Sequence, residues 1–336
     1  MSRKIDVREI PFYNEWYDES PTVTLHTSGS TGQPSSFVAE KRRMEASARR
    51  TCEFLGLKRG DKALLCMSAD FVGGKMMIVR AITCGLRLDC VIPSGNPLKG
   101  ICDESYDLVA MVPMQVYNSL SEPMEKEKLM KIRNLIIGGG PVDWSLAQRL
   151  RDFPNKVWST YGMTETLSHI ALRRLSGNEA DEWYSPLPGV TVTLDEDGRI
   201  VINAPEICDG ILVTNDRGEM HADGRRFKVL GRMDNTINSG GLKFQIEEIE
   251  GMLAGHLSVQ VIITKRPDEK FGEIVTLLYS EGMEHELQEV CTRILPKYMQ
   301  PKAYIKVDAL PYTASGKPAR AEALKITVKA NDIKKI

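Results

Sequence analysis

The sequence contains no run of about 18 apolar residues, which a membrane-spanning helix would require. It also lacks an excess of one charge, because 44 Lys and Arg stand against 45 Asp and Glu, a formal net charge of −1. That balance excludes the strongly basic surface of a general nucleic-acid binder. The first twenty residues are charged and lack an apolar core, so we predict no secretory signal there.

Cysteine and histidine spacings typical of metal sites are also missing. Seven cysteines are scattered without a CxxC pair, and five histidines show no HxxxH spacing. An odd number of unpaired cysteines is typical of reduced thiols in a cytoplasmic protein. We therefore predict a cytoplasmic protein without a structural metal site.

The length of 336 residues, with 42% hydrophobic and 26% charged residues, predicts a soluble globular chain of two domains. Strand-like and helix-like segments alternate up to about residue 150, which is typical of a largely parallel α/β sheet. A hairpin predicted over 190–203 then begins a β-rich subdomain. A boundary near residues 232–235 predicts a large domain, 1–232, followed by a small α+β domain, 233–336.

The first candidate binding motif is TSGSTGQP at residues 27–34, directly after a predicted strand. Its two glycines allow close backbone approach to an anion, and its four hydroxyls can donate to phosphate oxygens. The spacing differs from GxxxxGK[ST], which excludes a P-loop NTPase site. A polar surface loop is the structural alternative.

Further polar or glycine-rich motifs follow predicted strands along the chain. Each has an ordinary alternative as a turn, a helix cap or a solvated surface. Tyr can stack on a base, Glu can hold a hard cation and a strand-end Asp can accept both ribose hydroxyls. The motifs are GGGP (138–141), YGMTET (161–166), TND (214–216), GRMDN (231–235), SGG (239–241), EEIE (247–250) and SGK (315–317).

In combination and in this order, the motifs resemble those of the acyl-adenylate-forming superfamily of AMP-binding enzymes. The resemblance runs from Thr27 to Arg320 and so spans most of the chain. It implies a two-step reaction: a carboxylate attacks the α-phosphate of ATP, and the thiol of coenzyme A then attacks the acyl carbon. The site must offset negative charge that gathers at phosphorus.

The resemblance also implies a role for individual residues. Lys317 would act during adenylation, after which the small domain would rotate about a hinge at Asp234. The phosphates would be held by Thr27, Ser28, Gly29, Ser30, Thr31 and Gly32, with Thr164 at the α-phosphate and Glu165 on Mg²⁺. Adenine and ribose would be held by Gly138, Gly139, Gly140, Pro141, Tyr161, Gly162, Asp216 and Arg232, and the thiol tunnel would be completed by Gly240 and Gly241.

Two departures from the family pattern stand out. The phosphate loop usually continues Pro-Lys, whereas Pro34 is followed here by Ser35, and Lys41 is a candidate substitute. Only 26 residues precede Thr27, whereas most relatives have well over a hundred, so we expect a truncated large domain.

The acid is suggested by a lone cation in an apolar segment. Arg80 lies within Met76–Ile82, and a buried arginine needs an anionic partner. The segment 70–81 is similar to one in o-succinylbenzoate–CoA ligases, where an arginine meets the substrate's second carboxylate. Ser168 and His169 would then border the acyl pocket. An ion pair between Arg80 and a protein carboxylate is the alternative.

The sequence thus predicts an ATP-dependent acid–CoA ligase of menaquinone biosynthesis, with o-succinylbenzoate as the acid. Its partners would be a small carboxylic acid, ATP, Mg²⁺ and coenzyme A, with no nucleic acid, and a homo-oligomer is left open. The alternatives are a ligase for another aryl or acyl acid such as an arylacetate, an adenylation domain that loads a carrier protein, and a catalytically silent adenylate-binding relative.

Overall fold

A twisted sheet organises the N-terminal part of the chain. The computed structural model describes residues 4–26, 36–101, 105–312 and 318–333. The sheet has a parallel centre with antiparallel strands at both edges. Its order is β1 (Lys4–Ile5), β5 (Arg87–Val91), β4 (Lys62–Leu65), β6 (Leu108–Met111), β7 (Asn134–Ile137), β8 (Lys156–Gly162), β9 (His169–Arg174) and β10 (Ser185–Pro186).

Helices cover both faces of this sheet because alternate residues of its strands point to opposite sides. Leu65 faces one apolar core and Leu64 faces the other. The first core includes residues from α1 (Pro11–Trp16), α2 (Lys41–Leu55) and α3 (Val72–Cys84). The second includes residues from α4 (Pro113–Ser121), α5 (Pro123–Lys131) and α6 (Trp144–Leu150).

Two smaller sheets and a hairpin complete the fold. The hairpin joins β2 (Thr22–His26) to β3 (Ser36–Glu40). An antiparallel sheet follows in the order β11 (Thr191–Leu194), β12 (Arg199–Asn203), β13 (Ile211–Met220) and β14 (Phe227–Arg232).

The C-terminal sheet packs with helices around a core of its own. Its strands are β16 (Leu242–Gln245), β15 (Thr236–Ser239), β18 (Gly272–Tyr279), β17 (Val261–Asp268) and β19 (Ala303–Lys306), the last pairing with β18. Its helices are α7 (Ile246–Leu253), α8 (Glu284–Ile294) and α9 (Arg320–Ile333).

This architecture confirms the predicted fold class: an α/β part with a β-rich subdomain, followed by a small α+β part. A short 3-10 helix, Met233–Asn235, lies where the boundary is predicted. No helix within the described ranges is long and apolar enough to cross a bilayer.

Candidate active site

Three predicted nucleotide-binding residues, distant in sequence, meet where the main sheet approaches the four-stranded sheet. Tyr161 at the end of β8 donates its hydroxyl to Asp216 Oδ2 at 2.8 Å. Asp216 on β13 lies directly opposite Arg232 on β14, with Arg232 Nη1 4.0 Å from Asp216 Oδ1. Burial, chiefly, raises the pKa of Tyr161, so its hydroxyl stays protonated and serves as a donor.

The Tyr161 ring is 9% exposed and packs against two other aromatic rings. Its centroid lies 5.4 Å from that of Phe227 and 5.9 Å from that of Tyr184. These contacts fix the ring at the carboxyl end of the parallel strands, the edge at which α/β sheets bind ligands. Stacking of this ring on adenine stays a prediction.

The glycine run after β7 lies beside the same edge. A side chain at Gly138 would place its Cβ 2.4 Å from Thr160 Oγ1 on β8, so Thr160 would have to move to admit it. Gly139 has φ of +78° and is exposed, as is Pro141. Backbone without side chains is therefore presented beside the end of β8, an arrangement that can accept a flat ligand.

The predicted hinge residue is tied to the same strands. The Asp234 carboxylate accepts a hydrogen bond from Asn215 Nδ2 at 2.5 Å and one from Arg232 Nη2 at 3.2 Å. These donors, Asn215 foremost, hold the pKa of Asp234 below its usual range. Asp234 thus lies next to the predicted ribose residues, in the 3-10 helix that joins β14 to the C-terminal sheet.

Thr164 and Glu165 lie in a tight turn that leaves β8. A 3-10 helix, Thr164–Thr166, is followed by Leu167 in the left-handed region at φ 62°. The turn doubles back so closely that a Cβ on Gly162 would lie 2.3 Å from Ser168 O. The Glu165 side chain is exposed at this turn.

A single exposed carboxylate fits Mg²⁺ in a nucleotide site. Mg²⁺ is commonly held by one or two carboxylates together with waters and substrate phosphates. Glu165 meets this need, and the described residues contain no cluster of three or more metal-binding side chains. Its assignment to Mg²⁺ stays a prediction.

Arg80 on α3 is 2% exposed and is among the largest fully buried side chains. Its Nη2 donates to Ser168 Oγ at 2.6 Å, and its Nη1 lies 3.8 Å from Met77 Sδ. Its Nε has no partner, and no carboxylate of the described residues forms an ion pair with it. Burial lowers the pKa of Arg80 to about 10, so the group is still a cation at neutral pH.

His169 lies behind Ser168 and is also buried. Its Nδ1 lies 3.4 Å from Ser168 Oγ, and its Nε2 lies 3.0 Å from Thr51 Oγ1 on α2. Burial and then the charge of Arg80 hold the pKa of His169 well below 6.5, so the ring is neutral. Arg80 and His169, predicted from sequence to border one pocket with Ser168, are thus linked through Ser168. Thr51 belongs to the same hydrogen-bonded group, and sequence reasoning missed it.

The remaining predicted residues fall into two groups. Gly240 and Gly241 form the turn between β15 and β16, with φ of +60° and +84°. The second group lies outside the described residues: the predicted phosphate loop, which is Thr27, Ser28, Gly29, Ser30, Thr31 and Gly32, and the predicted adenylation residue Lys317.

Lys41 does not support the substitute role considered for it. Its Nζ bonds Asp18 Oδ1 at 2.7 Å and Asp18 O at 3.1 Å. Its side chain is largely buried, with Nζ 6.0 Å from the centre of the Trp16 ring. The ammonium group is therefore engaged at the end of α1.

Comparison with known proteins decides the family. The sequence model of the family AMP-binding enzyme matches residues 9–224, and that of the AMP-binding enzyme C-terminal domain matches residues 248–317. The chain belongs to the AMP-binding enzymes. The predicted superfamily is thereby confirmed, and with it the reaction class of an AMP-forming acid–CoA ligase.

Individual relatives agree with this family assignment. An acyl-CoA synthetase (AMP-forming)/AMP-acid ligase II-like protein from Dyadobacter fermentans is 33% identical, with a TM-score of 0.64 over 93% of this chain and 91% of that one. The 2-succinylbenzoate–CoA ligase of Bacillus cytotoxicus is 28% identical over 90% of this chain and 69% of its own.

The fold is shared with a more distant structure. The O-succinylbenzoate coenzyme A synthetase of Bacillus subtilis, in complex with ATP and magnesium ion, has a TM-score of 0.74 at 23% identity. It covers 89% of this AMP-binding enzyme, which spans 69% of that chain. The chain thus spans 69% of the length of this synthetase and of the Bacillus cytotoxicus ligase, and 91% of the length of the Dyadobacter fermentans protein.

Proposed function

We propose that this AMP-binding enzyme joins an aromatic dicarboxylic acid of the 2-succinylbenzoate type to coenzyme A through an acyl-adenylate. The observation that carries this proposal is the Arg80 cation, which is buried without a carboxylate partner among the described residues. A buried charge is strongly disfavoured unless it is paired. A substrate that brings its own second carboxylate supplies the missing partner through charge-assisted hydrogen bonds.

The surroundings of Arg80 support this substrate class. Ser168 Oγ accepts one guanidinium proton, while Nε has no acceptor within the described part of the chain. The side chains packed around α3 are apolar, so a pocket that opens beside Arg80 would have apolar walls, which suit an aromatic ring. Relatives named 2-succinylbenzoate–CoA ligase, at 26–28% identity, favour the same acid.

In the proposed first step, the first carboxylate of the acid attacks the α-phosphate of ATP and pyrophosphate leaves. Asp216 and Arg232 would bind the ribose, Tyr161 and the Gly138–Gly140 backbone would bind adenine, and Thr164 would contact the α-phosphate. Mg²⁺, when bound by Glu165, would offset phosphate charge. Lys317 would stabilise negative charge during this step.

In the proposed second step, the thiol of coenzyme A attacks the acyl carbon and AMP leaves. A large domain, 1–232, and a small domain, 233–336, would rotate about Asp234 between the steps. That motion would withdraw Lys317 and bring Gly240 and Gly241 to the thiol. All partners in this scheme are small molecules, and we place the enzyme in the cytoplasm.

The test is CoA-thioester formation with 2-succinylbenzoate beside benzoate and phenylacetate. We expect the dicarboxylate to be preferred. A preference for phenylacetate would show that the substrate is a different acid, while the two-step reaction would stand. Transfer to a pantetheinylated carrier protein but not to free coenzyme A would overturn the CoA ligase assignment, and absence of ATP–pyrophosphate exchange with every acid would indicate a silent relative.

A further inference from the structure

Thr51 and His169 form a hydrogen-bonded chain that ends at Arg80. Thr51 Oγ1 donates to the carbonyl of Ser47, one turn earlier on α2, at 3.2 Å. A hydroxyl has a single proton, so with that proton used Thr51 Oγ1 faces His169 Nε2, 3.0 Å away, as an acceptor. This arrangement favours a proton on Nε2 of His169.

The rest of the chain follows from this tautomer. His169 Nδ1 is then an acceptor, and it receives the hydroxyl proton of Ser168 across 3.4 Å. Ser168 Oγ in turn presents its lone pairs to Arg80 Nη2 at 2.6 Å. Electrostatics favour the same direction, because a proton on Nδ1 would point a positive dipole end toward the guanidinium group.

We infer that Thr51 and neutral His169 are positioning residues that orient Arg80 for the second carboxylate of the substrate, an inference that rests on the proposed function. The chain fixes one guanidinium nitrogen on Ser168. Nη1 and Nε, which have no oxygen acceptor among the described residues, are then held ready for a carboxylate. A side chain as long as arginine otherwise loses considerable rotamer entropy when it binds a ligand.

Thr51→Val tests this chain at nearly constant shape. Valine offers no acceptor to Nε2–H, so the ring is expected to move its proton to Nδ1. Ser168 Oγ would then accept from both His169 Nδ1–H and Arg80 Nη2, and its own hydroxyl proton would lose its partner and turn elsewhere, which changes how Arg80 is held. Thr51→Ser keeps the hydroxyl, and Ser47→Ala removes a buried hydroxyl of the same helix that has no partner, so it is the matched control.

The direct readout is the tautomer of His169, measured by ¹⁵N NMR on ¹⁵N-histidine-labelled protein. With five histidines in the chain, loss of signals in His169→Gln assigns the ring. We expect the Nε2–H form in the wild type, Thr51→Ser and Ser47→Ala, and the Nδ1–H form in Thr51→Val. A wild-type ring that is Nδ1–H or doubly protonated would overturn the inference, even if Thr51→Val failed to fold.

The kinetic readout is the ratio of kcat/KM for 2-succinylbenzoate to kcat/KM for a monocarboxylate analogue. Two such analogues exist, each lacking one of the two carboxylates, and the one used is the one that the enzyme still activates. We expect Thr51→Val to lower this ratio by about 3- to 10-fold, the worth of one neutral hydrogen bond, with Thr51→Ser and Ser47→Ala near wild type. An unchanged ratio in folded Thr51→Val would overturn the inference. A wild-type enzyme without preference for the dicarboxylate would instead overturn the proposed substrate, whatever the tautomer.

Discussion

At the scale of single residues, Arg80 shows what sequence can and cannot predict. A cation within an apolar helical segment is recognisable without a structure, because such a group needs a partner. The identity of the partner is decided by the fold, which brings Ser168 to within 2.6 Å of Arg80 across 88 residues of sequence. No carboxylate from the described residues takes that place, and this favours the ligand over the ion-pair alternative.

Arg80→Met tests the assignment at this scale. The hydrogen bond to a charged group is worth about 1.5–3 kcal/mol, so kcat/KM for 2-succinylbenzoate should fall by about 10- to 150-fold. Analogues without the second carboxylate should be little affected, and Arg80→Lys should be intermediate because it keeps the charge but not the planar fork.

Thermal unfolding of the same variant separates the two interpretations of Arg80. If the guanidinium pairs with a substrate carboxylate, Arg80→Met leaves no buried protein carboxylate behind, and the midpoint should change little. A loss of about 3–5 kcal/mol of stability would instead indicate a broken internal ion pair. Such a loss, or equal kinetic losses on both kinds of acid, would argue against the specificity role.

At the scale of elements, local pattern predicted the helices and strands whose signals are short-range. The apolar segment 72–85 predicts a buried helix, which is observed as α3 (Val72–Cys84). Asp143 predicts the start of a helix, and it caps α6 by accepting from Leu146 N at 2.8 Å. Sequence reasoning missed the β15–β16 hairpin, although Gly-Gly is a signal for a two-residue turn. It also could not predict that Asp216 lies opposite Arg232, because strand register depends on long-range packing.

The β2–β3 hairpin has a support that sequence did not reveal. Lys75 on α3 is buried and donates to Thr24 O at 3.0 Å, while Thr24 N donates to Glu15 Oε1 at 3.4 Å. Lys75 Nζ also lies 3.8 Å from Glu15 Oε2 and 4.8 Å from the centre of the Phe12 ring. These contacts hold β2 at Thr24, which is three residues before the first residue of the predicted phosphate-binding motif, Thr27.

Lys75→Met should therefore weaken nucleotide binding more than acid binding. It removes a charged hydrogen bond worth about 1.5–3 kcal/mol, part of which should appear as lower stability and part as a higher KM for ATP. Lys75→Arg, which keeps the charge and a donor, is the control. Steady-state kinetics at varied ATP and varied acid provide the comparison, and a folded Lys75→Met with unchanged KM for ATP would contradict the role of this lysine.

At the scale of the whole molecule, the two parts of the chain meet at the predicted nucleotide site. A Cβ on Gly231 of β14 would lie 2.5 Å from Glu247 Oε2 on α7, and burial raises the pKa of Glu247. A Cβ on Gly255 would lie 3.6 Å from the Trp144 ring, so the turn after α7 also touches α6. Any rotation between half-reactions must rearrange these contacts, which makes the two steps separable by mutation.

Lys317→Ala addresses the adenylation step. If Lys317 stabilises charge only while the acyl-adenylate forms, its loss should slow that step by about 10²–10³-fold. Thioester formation from pre-made acyl-adenylate should remain near the wild-type rate. Pyrophosphate exchange and single-turnover transfer measure the two steps independently, and equal losses in both would refute the assigned role.

Asp234→Pro addresses the rotation. Proline fixes φ near −65°, which is close to the 3-10 value of the Met233–Asn235 helix, so the described conformation should be retained while its change is hindered. Asp234→Ala is the matched control, because it also removes the acceptor of Asn215 and Arg232 but leaves φ free. We expect both variants to form the acyl-adenylate. Transfer to coenzyme A should be much slower in Asp234→Pro than in Asp234→Ala, because domain motions of this kind limit the rate of many enzymes.

The measurement is the rate of each half-reaction in variants whose thermal midpoints match. Equal transfer rates in the two variants would show that the backbone at Asp234 is not the hinge, and the contact between Gly231 on β14 and Glu247 on α7 would then be the next candidate.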